Sequence, residues 1–488
     1  MTMQATQDTT RLHATAVSGP RDMQRVFDLQ QETAQRWRQS SAAERIARIV
    51  RLRDVVLANQ EGLHEAAFKD FRKPPAEVDF SEILPVMADI SEYRHKLKSW
   101  MKPMRVGPTR LTVGVKGWVQ YQPRGRCLIL SPWNYPVQLS LAPLIACLGG
   151  GNTAIVKPSE VAPHMSAWLA KVLREAFKEE EVAVFEGDAG VSTALLELPF
   201  DHIFFTGSPA IGKVVMAAAS KNLTSVTLEL GGKSPTIVDE SADLDLAAGN
   251  IMWSKLVNSG QTCIAPDHLY VHESVKEAFV QKAIAVIRSR FGDTPQDQMR
   301  SPSLTHMVNV RHTQRVAALV EDAKAKGAQV LCGDFVSEKE QFVAPTLLDR
   351  VPANAKIMDE EIFGPVLPII AYRDLGEVVR KINAAPKPLA LYMFSRDQAN
   401  IDQLTQGTTS GGACINHSLI QAAHGHLPFG GVNNSGIGNY HGLWGFRCFS
   451  HERAVVQNRF MLARMFYPPY TEAMHRKIKL LIKWFKAW

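Results

Sequence analysis

No two cysteines in this chain stand close enough to frame a metal knuckle or a disulfide scaffold. Cys127, Cys147, Cys263, Cys332, Cys414 and Cys448 are scattered singly without a CxxC pair, which points to a reducing, cytoplasmic setting. An apolar core is missing from the first 20 residues, MTMQATQDTTRLHATAVSGP, so they do not read as a secretory signal. The longest apolar stretch, LILSPWNYPVQLSLAPLIACLGG at 128–150, is broken by three prolines and Asn134. That favours a buried strand, a loop and a helix over a bilayer crossing. Strong charge is lacking too: a net +7 over 488 residues, gathered largely near the C-terminus, gives the body no footprint for nucleic acid. Internal repeats and low-complexity linkers are absent. His417, His424 and His426 lie close together, but no cysteine or acid joins them at ligand spacing, so no metal site is expected.

What is present is material for large cores. Hydrophobic residues make up 45% and charged residues 21%, and 488 residues exceed what one core supports, so two large domains and a smaller third element are expected. Residues 22–70 carry Val26, Leu29, Ile46, Ile49 and Leu52 at helical spacing among Arg, Glu and Gln. Short β-rich runs follow, CLILS (127–131), TAIVKP (153–158), VAVFEG (182–187), HIFFTG (202–207) and TSVTLEL (224–230), mostly separated by helical stretches. That is the rhythm of βαβ units around a parallel sheet. A second alternating region holds SPTIVD (234–239), HLYVH (268–272), AQVLCG (328–333), LPIIAY (367–372) and ALYMFS (390–395).

The GxGxxG dinucleotide fingerprint is not found. Gly436 to Gly442 comes close, with wrong spacing and no strand before it, and is set aside. HIFFTGSPAIGK is the better candidate: a strand ends at Thr206, Gly207 allows a tight turn, Ser208 suits an N-cap and Pro209 the first helical turn. Such a helix N-terminus can hold a pyrophosphate, although an ordinary strand-to-helix turn would look the same.

Cys263 ends the polar run NSGQTC. A single cysteine is more often inert packing than a nucleophile. Its company includes Glu229 in LELGGKSP, where two glycines follow a carboxylate at a strand end, the acids Glu360 and Glu361 before IFGP, and Asn134 within PWNYP.

NSGQTC, LELGGKSP, PWNYP, FTGSPAIGK, EEIFGP and LPFGG, in register over about residues 22–460, resemble the NAD(P)-dependent aldehyde dehydrogenase superfamily. LPFGGVNNSGIGNYHG and FSHERAVV further resemble its class 3 branch of fatty and aromatic aldehyde dehydrogenases. The resemblance implies an α/β fold: a doubly wound parallel-sheet cofactor domain (1–104 and 125–231), an α/β catalytic domain (232–444) and a small β oligomerisation element (105–124 and 445–460). It implies that a medium or long aliphatic, or an aromatic, aldehyde becomes a carboxylic acid through a cysteine thiohemiacetal and thioester. Cys263 would be the nucleophile, Glu229 the base that activates water, and Asn134 an oxyanion donor beside the Cys263 backbone N–H. Trp133, Lys157, Glu160, Gly207, Ser208, Gly212, Glu361 and Phe363 would hold the cofactor, with Lys157 and Glu160 at the adenine ribose. Glu160 there favours NAD, and Lys157 leaves NADP open. Proline in GSPAIG removes one backbone donor from the pyrophosphate turn. Tyr135, Ile264 and residues 416–426 would shape the substrate pocket, and a homodimer is expected.

Two other readings stand beside this one. A CoA-acylating dehydrogenase would need no water-activating Glu229, and a non-catalytic protein of the same fold would need none of the three site residues. The tail, residues 461–488, has a character of its own. In HRKIKLLIKWFKAW, Ile478, Leu481, Ile482, Phe485 and Trp488 recur on one helical face and Arg476, Lys479, Lys483 and Lys486 on the other. It suits either peripheral contact with a membrane surface or docking on protein.

Overall fold

The computed structural model describes residues 19–458 and 466–486. Residues 1–18, the end of the proposed oligomerisation element and Trp488 lie outside the described residues.

The chain opens with helices at Pro20–Trp37, Ala42–Ala58 and Gln60–Phe71. Ser41 and Glu44 start the second with reciprocal bonds: the Glu44 N–H donates to Ser41 Oγ at 3.3 Å, and the Ser41 N–H donates to Glu44 Oε2 at 2.7 Å. Val26, Ile49 and Leu52 are buried, but Leu29 is 41% exposed. The buried face of that first helix turns instead on Gln30, whose amide donates to the carbonyls of Ala154 at 2.9 Å and Glu179 at 3.0 Å. A polar residue with both hydrogens satisfied thus takes an inward place that an apolar pattern cannot show.

The first large sheet has strands β3 (Arg126–Leu130), β4 (Thr153–Lys157), β5 (Val182–Val184), β6 (His202–Thr206) and β7 (Ser225–Glu229), in the order β7-β6-β3-β4-β5. All five run parallel. Helices Gln138–Gly150, Pro163–Ala176, Ala189–Leu196 and Pro209–Ser220 form the crossovers. The strand order reverses beside β3, so a crevice opens at the carboxyl ends of β3 and β6. The segment set aside above contributes a short strand of its own, β17 (Gly436–Ile437), antiparallel to β7 with Gly436 opposite Glu229. Gly436 has φ +152°, and a Cβ there would overlap the Leu228 carbonyl, so close backbone approach explains this glycine.

The second large sheet contains β8 (Pro235–Val238), β9 (His268–His272), β10 (Gln329–Cys332), β13 (Thr346–Asp349), β14 (Val366–Tyr372), β15 (Ala390–Phe394) and β16 (Gly412–Ile415), in the order β10-β13-β14-β9-β8-β15-β16. Only β10 runs antiparallel to its neighbour. A small hairpin, β11 (Val336–Ser337) with β12 (Phe342–Val343), lies apart. The third sheet joins β1 (Met104–Val106), β2 (Val115–Pro123) and β18 (Ser450–Asn458) in the order β1-β2-β18. Among the described residues no helix is long and apolar enough to cross a membrane.

Candidate active site

Cys263 lies in the loop that returns from helix Leu244–Leu256 to β9. Three successive residues before it are left-handed: Asn258 (φ 51°), Ser259 (φ 54°) and Gly260 (φ 73°). For residues other than glycine this costs about 1–2 kcal/mol each, so the surroundings must hold the turn. A Cβ on Gly260 would overlap the Gly364 carbonyl, which accounts for the glycine in NSGQTC. The Asn258 N–H donates to Glu77 Oε1 at 2.7 Å, and its side-chain amide donates to the Asn134 carbonyl at 2.8 Å. Gln261 donates to the carbonyls of Asn258 at 2.9 Å and His306 at 3.1 Å and accepts from the Val308 N–H at 3.0 Å. The polar letters of the motif are therefore a buried brace, and the half-buried Cys263 is the residue it presents.

Asn134 follows β3 and is buried, its side-chain amide donating to the Gln261 carbonyl at 3.0 Å. One amide hydrogen orients the group and the other is left for a ligand. Next to it the Tyr135 and Thr262 hydroxyls pair at 2.7 Å. Glu229 ends β7, and both of its carboxyl oxygens are buried without a protein partner. Burial alone pushes its pKa well above the carboxylate range. Burial, then the charges of Glu361 and Glu229, push the Cys263 thiol up to about 12.

Cys263 and Glu229 stand where two cavities meet. One, about 420 Å³, is walled mainly by apolar side chains, among them Phe80, Leu139, Trp253, Leu419 and Phe429. Tyr135 and Ile264 line it too, as do His417, Leu419, Ile420, Ala422 and Ala423 from the 416–426 stretch. His424 and His426 stand outside this lining, their rings 5.8 Å apart. The second cavity, about 510 Å³, lies along the carboxyl ends of the first large sheet. Trp133, Asn134, Lys157, Glu160, Gly207, Ser208, Glu361 and Phe363 line it. Gly212 does not: a Cβ there would meet Leu230 at 2.8 Å, so its missing side chain serves helix packing against the sheet.

The second cavity suits a dinucleotide on its own evidence. Ser131 Oγ and Thr206 Oγ1 are buried in its wall with no protein partner. Ser208 caps helix Pro209–Ser220, which places a positive helix end at the crevice. Lys157 Nζ and Glu160 Oε2 pair at 2.6 Å on the same wall. Two lining residues had no sequence signature. His312 has its ring 4.6 Å from that of Trp133, and burial with Arg315 and Arg311 lowers its pKa to about 4. Arg315 donates to the backbone carbonyls of Glu361 at 3.2 Å and Ile362 at 2.5 Å, which anchors the Glu361–Phe363 turn. Phe363, held there at φ 47°, meets the Trp133 ring edge-on at 5.3 Å.

A nucleotide-binding crevice that shares a thiol and a buried carboxyl with an apolar pocket defines a dinucleotide-dependent oxidoreductase. The chain belongs to the aldehyde dehydrogenase family, whose model matches residues 3–455. It is 39% identical over 421 residues to the 4,4'-diaponeurosporen-aldehyde dehydrogenase of Staphylococcus aureus (strain NCTC 8325 / PS 47), covering 86% of this chain and 90% of that protein. Identity is also 39%, over 427 residues, to aldehyde dehydrogenase family 3 member B1 of Bos taurus, with 87% and 89% covered. Among solved structures, the substrate-bound state of Staphylococcus aureus AldH matches with a TM-score of 0.89 at 36% identity, covering 94% of this chain and 99% of that one. These relatives support the class 3-like branch, and the activity is NAD(P)-dependent oxidation of an aldehyde.

Proposed function

We propose that Cys263 attacks the carbon of a medium or long-chain aliphatic, or an aromatic, aldehyde, and that Glu229 activates the water that releases the acid. The observation that carries this reading is the placement of both side chains in the walls of both cavities. The attacking sulfur leaves negative charge on the former carbonyl oxygen. The free hydrogen of the Asn134 amide and the Cys263 N–H meet that charge, and one such donor contributes about 3–4 kcal/mol. Bound NAD(P) supplies the hydride acceptor. Lys157 and Glu160 would hold its adenine ribose, Ser208 and the helix end its pyrophosphate, and Glu361 with Phe363 its nicotinamide ribose. Glu229, unpartnered in protein, would in its ionised form take a proton from the water that attacks the resulting thioester, and its raised pKa makes that form a stronger base. That argues against CoA as the acyl acceptor, and the apolar cavity supports the substrate class. Cys263→Ala should abolish turnover, and Glu229→Gln should give one burst of reduced cofactor and an acyl-enzyme visible by mass spectrometry. Full steady-state turnover in Glu229→Gln would remove the base assignment.

The same reading extends to assembly and place. We propose a homodimer formed through the third sheet: β18 is nine residues long and largely exposed, with Val456 68% exposed, and pairs only with β2 among the described residues. Free cysteines support a cytoplasmic setting. For the tail helix, Glu472–Lys486, we propose peripheral contact with a membrane surface, with docking on protein as the alternative. Ile478, Leu481 and Phe485 face a hollow shared with Leu111, and Arg110 lies over the Trp484 ring at 4.7 Å. Ile482 lines the same hollow, whereas Leu480, 66% exposed, lies outside that lining beside the lysines, available to a membrane surface.

A further inference from the structure

One rim of the substrate cavity also bounds a second hollow. Phe80, Trp253, Val257 and His417 line both the cavity at Cys263 and a neighbouring groove of about 840 Å³. At this rim the rings of Phe80 and Trp253 lie 6.5 Å apart, and those of Trp253 and His417 6.1 Å apart. Phe80 is 41% exposed and Trp253 38%, so apolar surface is presented where the two spaces adjoin.

One wall of the groove is a stripe along helix Leu244–Leu256, with Leu246, Gly249, Asn250 and Trp253 at three-to-four spacing, joined by Pro74, Ala76 and Phe291. Glu77, Asp245, Arg290 and Ser303 also line it, so its lining is mixed, with the apolar part on the side of the shared rim. Gly249 is the unusual member. Glycine in a helix interior is less favourable than alanine, and its backbone is not in the left-handed region that would demand it. Packing does not demand it either: a Cβ there would meet only Arg290 Nη2, at 3.6 Å, an ordinary contact with the far end of a flexible side chain. Arg290 Nη1 donates to the Gly249 carbonyl at 2.9 Å, so the guanidinium lies beside this position, and the missing side chain leaves the rest of the wall there bare.

We infer that this groove is a second substrate subsite, which receives the distal methylenes of straight-chain aldehydes too long for the cavity at Cys263. The inference rests on aldehyde oxidation at that cysteine. It assigns Gly249, Phe80 and Trp253 to chain-length selection. The chemical class is the unbranched aliphatic aldehyde, because a flexible chain can turn over the Phe80–Trp253 rim where a rigid ring system cannot.

The test compares Gly249→Phe with the unchanged protein on hexanal and hexadecanal, reading the ratio of the two kcat/KM values. A ratio within one protein cancels any loss of folded enzyme. Each methylene kept from apolar contact lowers affinity about fourfold, so blocking two or more should lower the hexadecanal-to-hexanal ratio by about tenfold or more. An unchanged ratio, or an equal fall for both aldehydes, overturns the subsite. Direct binding of hexadecanoate and hexanoate, followed by calorimetry, separates this from failure of the catalytic reading. If neither protein oxidised any aldehyde, that reading would fall, yet weaker hexadecanoate binding in Gly249→Phe alone would still support the subsite and equal binding would overturn it.

Discussion

Glu77 accepts the backbone N–H of Asn258 at 2.7 Å, tying a short helix that precedes the first large sheet to the loop that carries Cys263. The same stretch braces the other side of the site. Glu82 accepts the N–H groups of Val137 at 3.1 Å and Gln138 at 2.8 Å, just after Asn134 and Tyr135. Lys73 Nζ stands 3.7 Å from Glu82 Oε1, both side chains fully buried, and lies over the Tyr135 ring at 4.6 Å. One segment, residues 73–82, therefore holds both the loop that carries Cys263 and the one that carries Asn134.

Removing the Glu77 acceptor should loosen the thiol. Glu77→Leu leaves a buried N–H unpaired, which costs about 1–3 kcal/mol of stability. Displacement of the loop should also lower kcat about tenfold or more. Glu77→Gln keeps an oxygen acceptor and should retain most of the activity. Thermal midpoints and steady-state kinetics measure the two effects, and an undiminished kcat in the leucine variant would show that the loop holds its place without Glu77.

The ionisation of Cys263 should depend on Glu361 in a defined pH range. Burial raises the thiol pKa to about 12, with Glu361 the larger of the two charges that add to it. Burial and Asp267 lift Glu361 itself to about 8. A carboxyl disfavours a nearby thiolate only when it is ionised, here above about pH 8. Glu361→Gln should therefore speed alkylation of Cys263 by iodoacetamide in that alkaline range and change little below it. A profile that matches the unchanged enzyme throughout would mean that the Glu361 charge does not reach the sulfur.

Cofactor choice should respond to Glu160. Its pairing with Lys157 already offsets part of its charge, but the carboxylate still opposes a 2′-phosphate. NAD should be preferred, and Glu160→Gln should narrow the preference by weakening NAD contacts and relieving repulsion of NADP. The kcat/KM ratio for the two cofactors is the measurement, and a ratio that does not move takes Glu160 away from the ribose.

Truncation after Glu472 should abolish salt-sensitive sedimentation with anionic liposomes, because each lysine near such a surface contributes on the order of 1 kcal/mol. Light scattering on the same samples reports assembly. Equal sedimentation of the intact and truncated chains, or truncated chains that dissociate to monomers, would assign the helix to docking.

Much of the scaffold was legible because the signals are local. The inner strands β4, β8 and β15 are mainly apolar and buried throughout, as parallel strands covered on both faces must be, and HLYVH coincides with β9. Ser208 caps its helix as its chemistry predicts. Leu29 and Gln30 exchanged their expected places because a buried amide can satisfy its hydrogens on backbone carbonyls from two distant segments. His312 and Arg315 carried no signature, since a helix that begins at Val310 meets Trp133, Lys157 and Ser208 in the wall of one cavity only through the tertiary fold.

By itself the sequence determined the residue chemistry of the site and the alternation of strand and helix, because side-chain reactivity, capping and apolar runs are set by immediate neighbours. The tertiary structure alone decided why those residues work together. Gly260 exists for a carbonyl 104 positions along the chain, Gly364, and Gly212 leaves room for the Leu230 side chain. The junction at Cys263 and Glu229, and the groove left open at Gly249, are spaces between segments remote in sequence, and a space has no letter in the chain.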